Sequence, residues 1–341
     1  MSRTGRDLSV LHVGPSSDGP GGMSTVIKTL VETAPYQSSA MATWIAGSSI
    51  RTWRAWLAAL WQIMVDRRLP AVLHAHVSEG GSWLREGSLV LAAKHVRRRR
   101  TVITLHGADF RQGLQARTMR FLVGLIGNNC DAVFVLSEDD RGALRALVRA
   151  DVPVVRISNP VSVGPGTPRA DSLPGRPFAL FLGERSARKG LDLLLDSWAS
   201  LPDKKDVTLV VAGPPGDVEV PDRDDLVDMG AVDYPTARHL TAHARAVILP
   251  SRAEALPMVI LEAMASGTAF VATDISGISD LKGSGAGIVI PPRSVEDLTR
   301  ALDEVVKGGA LSALARNGRA WWAANASPQA VHGQLFSYYD R

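Results

Sequence analysis

The sequence has one cysteine, Cys130, in 341 residues. A single thiol excludes an intramolecular disulfide and any Cys-rich zinc site, and it fits a reducing compartment. Long apolar runs are also missing. The nearest, Trp53 to Val65, is shorter than the ~18 residues a membrane span needs, and Asp66, Arg67 and Arg68 follow it. The opening residues, Met1 to Leu8, are polar and hold two arginines, with no apolar stretch behind them, so no signal peptide is expected. These absences point to a cytoplasmic enzyme or binding protein. At roughly 100–200 residues per domain, the length suggests two domains.

What is present is unevenly charged. Residues 1–165 carry 20 Lys+Arg against 12 Asp+Glu, and the remainder 18 against 22. A basic half joined to an acidic half suggests that the first half meets an anionic partner, be it nucleic acid, anionic lipid or a phosphorylated substrate. No nucleic-acid module or interleaved exposed aromatics accompany the charge, so nucleic acid is not expected as a partner.

Short, β-branched apolar runs recur along both halves: Leu8–Val13, Met41–Ala46, Ala71–Val77, Thr101–Leu105, Ala132–Leu136 and Val154–Ile157, then Phe178–Leu182, Thr208–Ala212, Ala246–Leu249, Ala269–Ala272 and Gly287–Ile290. They lack clean alternation, as strands buried on both faces do, and helical periodicity fills the intervals, as at Leu191, Leu194, Leu195 and Trp198. This βα alternation predicts an α/β protein of two doubly wound, Rossmann-like domains. The Pro- and Gly-rich stretch Asn159 to Pro177 reads as the linker. The tail from Ala320 carries Trp321, Trp322, Leu335, Phe336, Tyr338 and Tyr339, too aromatic to fray. The predicted domains are 1–163, joined by 320–341, and 164–319. In such sheets ligands bind beyond the carboxyl ends of the strands, so the chemistry is expected in strand-to-helix loops facing a cleft.

Four loops qualify. After Leu8–Val13 comes GPSSDGPGGMSTV, whose Gly21 and Gly22 precede a helix starting near Met23. The spacing is neither Gly-x-Gly-x-x-Gly nor a P-loop. Small residues there let a phosphate approach backbone amides, or they make a flexible turn. His106, at the end of Thr101–Leu105, can donate a hydrogen bond or shuttle a proton, or it is structural; His74 and His76 read as structural or cleft-lining. The loop after Phe178–Leu182 holds Arg185, Arg188 and Lys189, where a diphosphate could be neutralised, or where a basic turn is solvated. The strongest loop is LPSRAEALPMVILEAMASG. Pro257 suits a first helical turn, Glu254 falls just before that helix and Glu262 inside it. The free amides near Met258 and Val259 form an anion site. A carboxylate beside an anion site suits a sugar joined to a phosphate.

Together these residues resemble the GT-B retaining glycosyltransferases of the group 1 type, glycosyltransferase family 4, over nearly the whole chain. The most specific element is Glu254-ALPMVIL-Glu262 followed by AMASGTAFVATDISG; the Gly21-Gly22 loop, TLHG at His106, the Gly183…Lys189-Gly190 loop, NPV and GAGIVIPP occur in family order. The resemblance implies roles. Gly21 and Gly22 lie at the donor diphosphate. His106 contacts the transferred sugar. Lys189 binds diphosphate oxygens, with Arg185 or Arg188 replacing the family arginine whose place Glu184 holds. Glu254 holds sugar hydroxyls, the Leu256, Pro257, Met258 and Val259 segment takes the phosphate, and Glu262 takes the ribose. It also implies a C-terminal helix returning to the first domain, no cofactor and no essential metal; Asp222-Arg223-Asp224 reads as a solvated loop. The donor is expected to be a UDP- or GDP-sugar, and the acceptor a lipid-linked or polysaccharide-precursor glycan. Trp53, Trp56, Leu57, Leu60, Trp61 and Met64 form a helical stripe that either lies on an anionic membrane surface or covers the first sheet. A catalytically silent scaffold that binds a nucleotide sugar is the alternative.

Overall fold

The computed structural model describes residues 8–19, 21–66, 68–163 and 175–340. The opening residues and most of the expected linker lie outside them. The chain forms two compact units, Met1–Pro160 with Asn325–Arg341, and Val161–Ala324.

In chain order the first unit runs β1 (Ser9–Pro15), α1 (Gly22–Glu32), β2 (Gln37–Trp44), α2 (Ser49–Val65), β3 (Val72–Val77), α3 (Gly81–His95), β4 (Arg100–Leu105), α4 (Phe110–Gly113), α5 (Arg117–Gly127), β5 (Ala132–Val135), α6 (Glu138–Arg145) and β6 (Val154–Arg156). The second runs β7 (Phe178–Leu182), α7 (Leu191–Ala199), β8 (Thr208–Ala212), β9 (Leu226–Gly230), α8 (Tyr234–His243), β10 (Ala246–Leu249), α9 (Met258–Ser266), β11 (Ala269–Thr273), α10 (Ser276–Ser279), β12 (Gly287–Ile290), α11 (Val295–Lys307) and α12 (Leu311–Asn325). Finally α13 (Pro328–Tyr339) belongs to the first unit.

Each unit is built on one six-stranded parallel sheet, ordered β2-β1-β3-β4-β5-β6 and β12-β11-β10-β7-β8-β9. Interior strands such as β3, β8 and β11 are buried along their whole length. That is why their sequences are continuous apolar runs and do not alternate. Helices cover the sheets by their apolar faces. In α11 the buried Leu298, Ala301, Leu302, Val305 and Val306 make one stripe, Ser294 caps the first turn by accepting from the Asp297 amide, and Gly308 ends the helix in the left-handed region. Fully buried side chains such as Trp198 and Phe181 each contribute roughly 1.5–3 kcal/mol.

The structure departs from the sequence reading in several places, among them β2, which runs from Gln37 to Trp44 where Met41–Ala46 was expected. β9 was not expected: it is an edge strand in which Val227 and Asp228 are exposed, so it lacks the apolar signature. The aromatic tail is divided. Trp321 and Trp322 lie in the second unit, where the Trp322 indole donates to the Val161 carbonyl at 3.0 Å, whereas Leu335 and Tyr339 are buried in the first. The boundaries between units accordingly fall at Pro160/Val161 and Ala324/Asn325, where the sequence suggested 163/164 and 319/320. Pro257, in turn, caps α9 instead of opening its first turn.

In both sheets the strand order reverses direction once. In the second unit β7 and β10 are neighbours, with the chain leaving β7 toward β8 and leaving β10 toward β11. In the first, β1 leads to β2 on one side, while β3 lies on the other. Loops leaving the carboxyl ends of two such strands diverge and open a crevice.

Candidate active site

In the second unit the crevice is formed by the loops after β7 and β10. The loop after β7 is tightly packed at Gly190. Gly190 adopts a φ of 76°, and a Cβ there would stand 2.0 Å from the Pro250 carbonyl oxygen, so only glycine lets the basic loop close on β10. Ser186 caps the short helical turn Ala187–Lys189 by accepting from the Lys189 amide. These constraints aim Lys189 at the neighbouring loop, where its Nζ donates to Glu254 Oε1 at 2.5 Å. Ser251 Oγ donates to the same oxygen at 3.0 Å. Glu254 is 8% exposed. A carboxylate that deep is tolerable only because a cation and a hydroxyl compensate it.

Nearby, Arg188 donates to the Ala253 carbonyl at 3.3 Å, and the Arg252 amide donates to the Arg188 carbonyl at 2.9 Å. Arg252 grips Asp192 through two bonds of 2.7 Å, which holds the Asp192 carboxyl below its usual range. Arg185 instead points to Asp228, 2.5 Å away. Of the two arginines expected to replace the missing family charge, Arg188 is therefore the one beside Glu254.

Four residues after Glu254 begins α9. Leu256 is buried, and the Ile260 amide bonds back to the Pro257 carbonyl at 3.2 Å. Among the described residues the Met258 and Val259 amides have no backbone partner, as expected at a helix start without a side-chain cap. Glu262 lies one turn after Met258. It accepts from the Tyr234 hydroxyl, with Arg238 close by, and burial raises its pKa above the ordinary carboxylate value. Burial and the Glu262 charge together push Tyr234 up to about 12. The Arg238 guanidinium lies 5.8 Å from the centre of the Tyr234 ring. Tyr234 gave no signal in the sequence, because nothing local marks a tyrosine that will meet a glutamate 28 residues on.

The first unit has a crevice of the same origin. The loops after β1 and β3 enclose a cavity of about 460 Å³ lined by Gly21, Gly22, Ser24, Ser78, Ser82 and Arg85, among others. Gly21, at φ 106°, caps α1, and no atom lies within 4 Å of where its Cβ would stand. The amide end of α1 is thus unshielded by any side chain at that position.

His106 follows β4, its amide bonded to the Val77 carbonyl at 2.7 Å. Its neighbour Gly107 packs against Ser78, a residue of the glycine-lined cavity. Its Nε2 lies 3.0 Å from His76 Nδ1, and His76 Nε2 lies 3.0 Å from His12 Nδ1. Neighbouring parallel strands bring these rings together: His12 stands opposite His74 in register, and His74 and His76 share one face of β3. His74 meets the Tyr339 hydroxyl at 2.5 Å and Thr104 at 2.7 Å, so α13 is tied into the same network. Desolvation lowers the pKa of His12 and His106 to about 3 and takes His74 and His76 well below their ordinary value. All four rings are therefore neutral near pH 7. His12, His74 and His76 offer nitrogens within 4.8 Å of one another. Yet both nitrogens of His74 and of His76 already have partners, so the trio is built as a hydrogen-bonded core and not as a ligand set. His12 has no flanking motif; only strand register identifies it.

Two Rossmann-like units, each on a six-stranded parallel sheet with flanking helices, define the GT-B class. Residues 5–160 match the family described as glycosyl transferase 4-like domain, and residues 176–307 the one described as glycosyl transferases group 1. The chain belongs to the group 1, family 4-like glycosyltransferases. One relative is the alpha-D-kanosaminyltransferase of Streptomyces kanamyceticus, 31% identical over 183 residues, covering 49% of this chain and 46% of that protein. The chain spans about half or less of the length of the curated relatives it matches. Among solved structures, sucrose-phosphate synthase from Thermosynechococcus elongatus superposes with a TM-score of 0.74 at 18% identity, over 97% of this chain and 98% of that one. HepE of Anabaena in complex with UDP gives 0.73 at 17%, over 97% and 99%. These two establish the fold.

Proposed function

We propose that the chain transfers a glycosyl group, with retention, from a nucleotide diphosphate sugar to an acceptor hydroxyl. The observation that carries this reading is Glu254, a compensated carboxylate set directly before the amide end of α9. Such a pair suits a ligand with hydroxyls on one side and phosphate on the other. Glu254 orients the sugar hydroxyls. Lys189, Arg188 and the Met258 and Val259 amides stabilise the charge that grows on the departing diphosphate. Glu262, held by Tyr234, takes the ribose hydroxyls. The second unit binds the donor and the first the acceptor. Gly22 and neutral His106, in the first unit, keep the roles the family resemblance implies for them.

The described residues present no convincing protein nucleophile at this site. The acceptor oxygen therefore attacks from the face the diphosphate leaves. Its bond to the anomeric carbon forms as the carbon–phosphate-oxygen bond breaks, and its proton passes to a leaving phosphate oxygen. The acceptor is a lipid-linked or polysaccharide-precursor glycan, met at an anionic membrane surface that the basic first half favours. Among the described residues, no helix is long and apolar enough to cross a membrane.

HepE, solved with UDP, makes uridine the first nucleotide to test. Melting curves with UDP-, GDP- and ADP-linked sugars should show one clear stabilisation, about 2.7 kcal/mol at a hundredfold excess over Kd. No shift with any of them defeats the donor assignment. Glu184, standing where the family has arginine, and Arg185, engaged with Asp228, favour a second reading, a silent sensor. Donor hydrolysis or transfer separates the two.

A further inference from the structure

Helix α2 is apolar on two faces. Ala59 and Ile63 are buried, with Trp56 and Leu60 packed beside them on the core. The adjoining face carries Ile50, Trp53, Leu57, Trp61 and Met64, which are 73, 59, 54, 69 and 43% exposed. Their spacing of three and four residues makes one continuous stripe. Arg51 and Arg54 are exposed on the same helix, which has no carboxylate.

Beside this stripe, α2 and α3 enclose a chamber of about 500 Å³ lined by Trp44, Ile45, Trp53, Trp56, Leu84 and Arg85, within the usual size of a ligand site. Its wall is fixed. The Trp56 indole donates to the Arg85 carbonyl and to Ser88 Oγ, at 3.1 and 3.0 Å, and Trp53 packs edge-on against Trp56. The chamber adjoins the glycine-lined cavity, since Trp44, Gly81 and Arg85 line both. Arg85 is oriented there by Glu86, 2.8 Å away, and Glu86 is itself fully buried and held by Thr43 and Ser82.

We infer that this chamber holds the hydrocarbon end of a lipid phosphate that carries the acceptor. The phosphate lies at Arg85, and the chain leaves the chamber along the α2 stripe into the lipid interface. This rests on the transferase reading above and names the acceptor's class. An amphiphile fits what the surface offers: an apolar recess, one buried-carboxylate-braced arginine at the recess's polar end, and an exposed aromatic face whose only charges are cationic.

The test uses the full chain and soluble alkyl phosphates below their micelle concentrations, read by tryptophan fluorescence. Dodecyl phosphate should bind at least tenfold tighter than butyl phosphate. Gly81→Leu should erase that preference, because a side chain at Gly81 meets no atom within 4 Å of its Cβ and so projects into the shared space without disturbing the fold. In a second arm, Trp53→Ser and Trp61→Ser, both exposed, should each reduce flotation with anionic vesicles several-fold. Equal affinity for the two phosphates, or an unchanged preference in Gly81→Leu, overturns the inference. UDP titration of the same samples reports on the donor reading alone. Chain-length selectivity without UDP binding sinks the transferase assignment and leaves the chamber; UDP binding without selectivity does the reverse.

Discussion

Lys189 and Glu254, 65 positions apart in sequence, form an ion pair of 2.5 Å between the loops that leave β7 and β10. Both side chains are largely shielded, at 18 and 10% exposure. Each therefore neutralises a charge that would otherwise be buried alone. Lys189→Ala should cost ~2–4 kcal/mol, because it strands Glu254. The double variant Lys189→Ala/Glu254→Ala should cost less than the two single changes added together. Strictly additive losses in chemical denaturation would mean that the contact carries no coupling energy.

Glu254→Ala alone should do more to catalysis than to folding. Losing the group that orients the sugar hydroxyls removes roughly 3–4 kcal/mol of transition-state stabilisation, a factor of about 10²–10³ in kcat/KM. Turnover within twofold of the unmodified enzyme would refute the role given to Glu254.

The same crevice depends on Gly190. Gly190→Ala combines a left-handed backbone with the Pro250 oxygen 2.0 Å from the new Cβ. Gly267, at the end of α9, has a similar φ of 73° but no atom within 4 Å. Gly267→Ala should cost only the backbone term, roughly 1–2 kcal/mol. Gly190→Ala should cost clearly more and should also weaken nucleotide-sugar binding, since it pushes Lys189 away from Glu254. Similar melting temperatures for the two variants would remove the close approach as the reason for glycine at position 190.

The architecture was legible in the sequence because strands buried on both faces must be apolar throughout. β9 escaped for the opposite reason: it exposes Val227 and Asp228, so it carries no continuous apolar run. The two motif glutamates could be read from their spacing around a helix start. Their partners could not. Tyr234 reaches Glu262 only because α8 packs on α9, and His12 reaches His76 only through the register of β1 on β3. The α2 stripe left two fates open, covering the sheet or facing out. The structure assigns Trp56 and Leu60 to the first and Trp53, Leu57, Trp61 and Met64 to the second.

Glu262 supplies a binding prediction distinct from catalysis. Glu262→Gln keeps the shape and one acceptor oxygen but removes the charge. UDP affinity measured by calorimetry should fall about tenfold, or 1.4 kcal/mol, while kcat at saturating donor changes little. A large fall in kcat with unchanged affinity would place Glu262 at the reacting centre instead.

The buried histidines make stability depend on pH in a definite direction. His12 and His106 are lowered to about 3 and His332 to about 4, from an ordinary 6.5, and His74 and His76 lie well below it; burial is the leading cause each time. Below 6.5 the unfolded chain takes up protons that the folded chain refuses. The stabilising contribution is therefore complete above about pH 6.5 and is lost as pH falls toward 3–4. At pH 5 a ring lowered to about 3, such as the fully buried His12, should cost on the order of 1–2 kcal/mol. The melting temperature should be level from pH 7 to 8 and drop steeply between pH 6 and 4. His12→Leu, which removes one ring whose Nε2 is buried without a partner among the described residues, should make that drop shallower by up to one proton's worth, about 1.4 kcal/mol per pH unit. A melting temperature that holds from pH 7 to 5 would mean that these imidazoles titrate normally, and the neutral His106 assigned to the transferred sugar would then be wrong as well.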